Sequence, residues 1–132
     1  MDDQNLIQKD LIKKIVGDAR GAVGIRLCAI GVNLGIFDNL AEHGPATSQE
    51  LAERMKLDER YLREWGLGMF SLGYLDFDKV SRKISLNKEF IPVLVEEGGK
   101  FSQKGLIEIL NSSLLPYHEL LNSFKNGGGI NY

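Results

Sequence analysis

Residues 47–86 constrain the fold of this chain more than any other stretch. Thr47 or Ser48 stands at the head of a short apolar-patterned run. Glu50, three residues after Thr47, completes a capping-box pattern in which side chains satisfy the first free amides of a helix. Leu51, Ala52 and Met55 form the inward side of that helix. Lys56-Leu57-Asp58 reads as a turn, with Leu57 pointing inward and Asp58 as the cap of a second helix. Tyr61, Leu62, Trp65, Met69 and Leu72 share one broad stripe of that helix, which Gly73 ends as the residue just past its C-terminus. Trp65 is the expected centre of a small core. Tyr74-Leu75-Asp76-Phe77-Asp78 and Lys83-Ile84-Ser85-Leu86 then alternate in polarity, and polar residues 79–82 between them form a hairpin loop. Two short helices followed by two short strands make a winged helix.

Upstream, Leu6, Leu11, Ile12, Ile15 and Val16 recur near helical spacing and predict an amphipathic helix over residues 5–16. Asp18 is the expected cap of a second, longer helix that runs to about Glu42. Val23, Leu27, Ile30, Leu34, Phe37 and Ala41 form one apolar line along it, and Ile25, Cys28, Val32 and Ile36 form another. A helix that is apolar on most of its circumference must bury both faces, and one small domain offers core on one side only. Dimerisation answers that, with Val23, Leu27, Ile30, Leu34 and Phe37 as the expected interface. A locally kinked helix within a monomer's core is the alternative. Glycines at 21, 24, 31 and 35 cost about 1 kcal/mol each inside a helix relative to alanine, which points to close backbone approach by another helix. Gly44-Pro45 ends the segment.

Downstream, Asn87 can cap a helix from about Lys88 to Glu96 that Pro92 keeps short, and Gly98-Gly99 breaks the chain. A last helical region covers residues 101–124, interrupted near Pro116. The expected fold class is therefore mainly α: a winged helix-turn-helix with a short β-hairpin, flanked by additional helices. We read residues 1–132 as one domain, comprising N-terminal dimerisation helices (1–44), the winged helix (45–86), C-terminal helices (87–125) and a Gly-rich connector (126–132).

A winged helix invites a nucleic-acid reading, and charge argues against it. The chain carries a formal net charge of −2, whereas displacing condensed counterions from a duplex needs a positive field. Within residues 47–86, seven acids balance seven bases. Asp58, Glu59 and Glu64 outnumber Arg60 and Arg63 on the second helix, whose N-terminal end is where groove-reading residues sit. Arg82 and Lys83 in the wing are the residues placed to touch a phosphate, or simply belong to a solvated turn.

Catalytic and metal constellations are equally thin. His43 and His118 are far apart, and neither is spaced with Cys28 as a zinc site requires; the expected roles are a helix-end dipole partner for His43 and a surface or interface position for His118. Cys28, the single cysteine, lies in an apolar stretch and reads as a small buried hydrophobe; with no disulfide possible within the chain, a reducing cytoplasm is the expected compartment. Met1-Asp2-Asp3-Gln4 lacks the basic start of a secretion signal, and Arg20, Arg26 and Asp38 interrupt the most apolar window, so no membrane span is expected. Ser112-Ser113 has no base nearby. Gly21-Ala22-Val23-Gly24 has no preceding strand, and Gly127-Gly128-Gly129 follows a helix, so neither has the strand-loop-helix context of a nucleotide cradle.

Several local strings nevertheless resemble a known family. They are Leu34-Gly35-Ile36-Phe37-Asp38-Asn39-Leu40, Thr47-Ser48-Gln49-Glu50-Leu51-Ala52-Glu53-Arg54, Glu59-Arg60-Tyr61-Leu62-Arg63-Glu64-Trp65 and Gly73-Tyr74-Leu75. In order and spacing these strings resemble the N-terminal region of class I S-adenosylmethionine-dependent methyltransferases, in the transcriptional-regulator-like group. The end of the chain, with Gly127, Gly128, Gly129 and Tyr132, is similar to the connector that leads into the catalytic domain of such enzymes. The resemblance implies a homodimerising, substrate-covering domain whose methyl donor binds elsewhere. The acidic-x-Gly-x-Gly loop of the catalytic half is missing from these residues, so it implies no catalytic residue, no metal and no cofactor site in this chain. S-adenosylmethionine is implied for a full-length relative, and a small-molecule substrate only with a catalytic domain. A DNA-binding regulator and a non-catalytic partner of a full-length methyltransferase are the alternative readings.

Overall fold

The computed structural model describes residues 3–130. The first helix, α1, is Asp3–Asn33, a single 31-residue rod. The expected break at Asp18 is absent: Asp18 lies mid-helix, and its carboxylate pairs with Lys14 Nζ at 2.7 Å one turn away. A good capping residue caps nothing where the backbone has no reason to leave helical geometry. The break comes later. Gly35 adopts φ +72°, a left-handed conformation that costs a residue without Cβ little, and the chain turns by 64° into α2, Ile36–His43.

The winged helix follows. Thr47 caps α3, Ser48–Met55: its hydroxyl accepts from the Glu50 amide at 3.1 Å, and the Glu50 carboxylate accepts from the Thr47 amide at 2.8 Å. Both halves of the predicted capping box are therefore made. Lys56 turns the chain with φ +55°, and Asp58 accepts from the Tyr61 amide at 3.1 Å to cap α4, Glu59–Ser71. Gly73, with φ +87°, lies just past its end as predicted. Strands β1, Asp76–Phe77, and β2, Ile84–Ser85, pair antiparallel, with Asp76 opposite Ser85 and Phe77 opposite Ile84. They are shorter than the alternating pattern predicts. Ile84 also exchanges two backbone hydrogen bonds with Ala46, at 2.9 and 3.0 Å, tying the wing to the loop before α3.

Asn87 caps a 3₁₀ turn, Lys88–Phe90, which passes directly into the one-turn α5, Ile91–Leu94. Pro92 in that first turn is tolerated because its missing amide has no acceptor there. The predicted last helical region is two helices, α6, Lys104–Ser113, and α7, Tyr117–Asn126, with Pro116 at the junction. The mainly α winged-helix class thus holds.

One core joins these elements. Trp65 is its centre: the indole N–H donates to the Leu27 carbonyl at 2.9 Å, and the ring meets Phe37 at a centroid distance of 5.6 Å. Gly31 explains how these rings fit against α1. A Cβ there would come within 2.5 Å of the Phe37 ring and 2.7 Å of the Trp65 ring. Ile36, Leu40, Leu51, Met69, Leu75 and Ile84 complete the packing.

Candidate functional site

The conspicuous surface begins on α1. Residues 3–22 of this helix are exposed on every side, and Leu6, Ile7, Leu11, Ile12, Ile15 and Val16 all present more than half of their area to solvent. The sequence places five of them, all but Ile7, on the apolar side of an amphipathic helix. Nothing among the described residues covers them. Only from Gly24 onward does α1 enter the core, and it does so through small residues: Gly24, Cys28, Ala29, Gly31 and Val32.

The five expected interface residues therefore divide. Val23, Ile30 and Leu34 lie on the outside of α1 or just past its end, with Leu34 49% exposed. Leu27 is partly buried, lies near Gly68 of α4 and gives its carbonyl to Trp65. Phe37 is 0% exposed and belongs to the protomer's own core, so its assignment to an interface is corrected. The bend at Gly35 is the reason: it rotates the α2 residues away from the face that a continuous helix would give them. Of the four glycines, Gly24, Gly31 and Gly35 serve the protomer itself, whereas a Cβ at Gly21 would meet nothing within 4 Å.

Two depressions flank this surface. An apolar groove of about 220 Å³ lies between the end of α1 and the start of α4, lined by Ile30, Leu34, Leu57, Tyr61 and Trp65. A second, more polar cleft of about 310 Å³ lies between the two helix-turn-helix helices and the wing, lined among others by Ser48, Glu59, Arg63, Phe77 and Arg82. Its cations are largely committed. Glu59 accepts from Ser48 Oγ at 2.6 Å and pairs with Arg63 at 3.3 Å, while Arg82 lies over the Phe77 ring at 6.0 Å.

Cys28, His43 and His118 lie on three different helices. Cys28 is buried, and burial pushes its thiol up to about 11, partly offset by a hydrogen bond with Tyr74. Such a thiol stays protonated and unreactive near neutrality. His43 sits in the last turn of α2, 3.8 Å from the Glu42 carboxylate, and His118 lies beside the Tyr117 ring at the start of α7. No three His, Cys, Asp or Glu residues gather as a metal cluster among the described residues, nor is any single helix there long and apolar enough to cross a membrane.

The C-terminal helices add a second exposed apolar region, including Leu106, Ile109, Leu114, Leu120 and Phe124. Beyond α7, Gly127 and Gly128 take positive φ values of 72° and 92°, and Gly129 has open space around it. Tyr132, the last of the expected connector residues, lies outside the described residues.

This architecture defines a winged-helix domain whose flanking helices expose apolar faces. Residues 21–95 match the family described as the Rv2258c-like winged HTH domain, and the chain belongs to that family. Solved structures place the fold in larger company. PigF, solved with SAH, is 19% identical with a TM-score of 0.69, over 86% of this chain and 33% of that one. An O-methyltransferase family 2 protein from Planctomyces limnophilus DSM 3776, solved with apigenin, is 28% identical with a TM-score of 0.61, over 77% of this chain and 30% of that one. The mitomycin 7-O-methyltransferase MmcR is 18% identical with a TM-score of 0.70, over 95% of this chain and 37% of that one. The chain thus spans about a third of the length of these proteins. No curated protein matches it.

Proposed function

We propose that this chain is the dimerisation and substrate-lid domain of an S-adenosylmethionine-dependent methyltransferase. The observation that carries the proposal is that one and the same fold, winged helix plus flanking helices, makes up about a third of several solved methyltransferases. Dimerisation draws support from the exposed apolar half of α1, because a soluble monomer rarely leaves so many adjacent aliphatic side chains in water. A lid role draws support from the exposed face of α6 and α7, which adjoins the glycine-rich segment where a following domain would attach.

The methyl donor, in this reading, binds outside these residues, since none of their loops joins a strand to a helix through an acidic-x-Gly-x-Gly sequence. Titration calorimetry of the chain with S-adenosylmethionine is expected to give no binding heat. Micromolar affinity would overturn this division of labour. Sedimentation at micromolar concentration is expected to give twice the chain mass, and a monomer would count against the dimerisation role.

A further inference from the structure

The cleft between α3, α4 and the wing joins an apolar wall to an uncompensated cation. Leu62, Leu67, Phe77 and Ile84 form the wall, and Leu62 and Ile84 are buried. Its base is fixed. Gly66 lets the wing close on α4, because a Cβ there would stand 3.2 Å from the Ile84 Cδ1, and the backbone bridge from Ile84 to Ala46 holds the strand in place. On the rim, Glu59 is held by Ser48 and Arg63, so that ion pair is closed on itself. Asp78 turns its carboxylate to the Val80 amide and the Ser81 hydroxyl of its own hairpin. Arg82 differs from both. Its guanidinium lies over the Phe77 ring and pairs with no carboxylate among the described residues. Stacking uses the face of a guanidinium and leaves the N–H fork on its edge available to an acceptor. Arg82 also holds φ +58°, a left-handed backbone that glycine or asparagine adopts at lower cost, so the turn itself gives no reason for an arginine.

The geometry points to a binding site for a small aromatic monocarboxylate, its ring against Leu67, Phe77 and Ile84 and its carboxylate in the fork of Arg82. Charge selects a monoanion: two guanidinium groups, Arg63 and Arg82, against the one carboxylate of Glu59 leave a single net positive charge among the lining residues. A dianionic phosphate ester would bring toward Glu59 a second negative charge that no lining residue balances. The planar fork matches the two oxygens of a carboxylate. Size sets the rest. A volume of about 310 Å³ lies at the low end for small-molecule pockets and fits one ring or two fused rings. This site lies on the winged helix itself and depends on neither the dimer nor the lid role.

Titration of the chain with 2-naphthoate, followed by amide chemical shifts, tests the assignment. Saturable binding in the high-micromolar to millimolar range is expected, with the shifts concentrated at residues 47–49, 63–67 and 77–84. 2-Naphthamide has the same shape without the charge and is expected to bind about tenfold more weakly or worse. Arg82→Gln, at an exposed side chain, should weaken naphthoate by a similar factor with an unchanged far-ultraviolet spectrum. Lys79→Gln removes the same charge from the same hairpin outside the cleft and should leave the affinity as it is. No saturation at tens of millimolar, equal affinity for the acid and the amide, or equal losses from the two substitutions overturns the proposal. Shifts gathered instead at Ile30, Leu57 and Tyr61 would put the arene in the apolar groove and overturn it as well.

Discussion

The two halves of α1 turn different residues outward and inward and meet opposite environments. Residues 24–32 turn glycine, cysteine, alanine and valine into the core, Gly31 against Trp65 and Phe37 and Gly24 against Tyr74 and Leu72, so the rod lies close to the body. Residues 3–22 carry larger aliphatics and are exposed throughout; near their end Arg20 donates to the Ser71 carbonyl at 3.2 Å. Small residues serve a close contact within the chain, and the large ones are those that the proposed dimer would cover. In that proposal one helix contributes both to folding and to association, with the change near residue 22.

The sharpest test of that division is a charge in each half. Ala29→Asp, buried against the core, is expected to cost several kcal/mol and unfold the chain, read by loss of the helical spectrum. Ile15→Asp, on the exposed half, is expected to leave the spectrum intact and to weaken the dimer about 100-fold in sedimentation. Losing one aliphatic contact from each copy removes about 3 kcal/mol. Equal effects of the two changes would break the comparison.

Glycines give a smaller contrast. Gly31→Ala forces a Cβ into two aromatic rings and is expected to lower stability by about 1–3 kcal/mol in denaturant melts. Gly17→Ala, with nothing within 4 Å, is expected to raise it by up to about 1 kcal/mol through helix propensity alone. A loss at Gly17 would place a close neighbour there in solution.

The smallest effects belong to the caps. Thr47→Ala should cost about 1 kcal/mol in the same melts. Hydrogen bonds hold the Glu50 carboxyl, chiefly through the Thr47 amide, and the Asp78 carboxyl, chiefly through the Val80 amide, below their ordinary values. Their folded pKa values are lower than their unfolded ones, so the stability they add is complete above about pH 5 and is lost as pH falls through about 4 and below. Acid titration of Glu50→Gln, whose side chain cannot ionise, should accordingly show a shallower loss than the parent chain.

The winged helix was readable because its signals are local. Thr47, Glu50, Asp58 and Gly73 each act within four residues of themselves, and each does in the structure what its position predicts. The N-terminal helices were harder to place for a physical reason. Periodicity says which side chains share a face, and it does not say what covers that face. Asp18 looked like a cap because Asp favours caps, yet an exposed i,i+4 pair with Lys14 suits it equally well inside a helix. Phe37 was assigned to the outer line because spacing alone assumed a straight rod, and one left-handed glycine at 35 changed its direction. The apolar groove lay beyond sequence reasoning altogether, since Ile30, Leu57 and Tyr61 meet only once α1 and α4 have packed.

The bridge between Ala46 and Ile84 has a kinetic consequence. A hairpin of two residues per strand is barely stable by itself in water. Here Ile84 binds Phe77's strand on one side and Ala46 on the other, and both Ala46 and Ile84 are shielded from solvent. The amides of Ala46 and Ile84 donate into that bridge, so their deuterium uptake should proceed only when the whole core opens. The tip of the wing at Val80, 95% exposed, should label on a far shorter timescale. The wing's base is thus expected to open only with the body of the domain, and its tip without it.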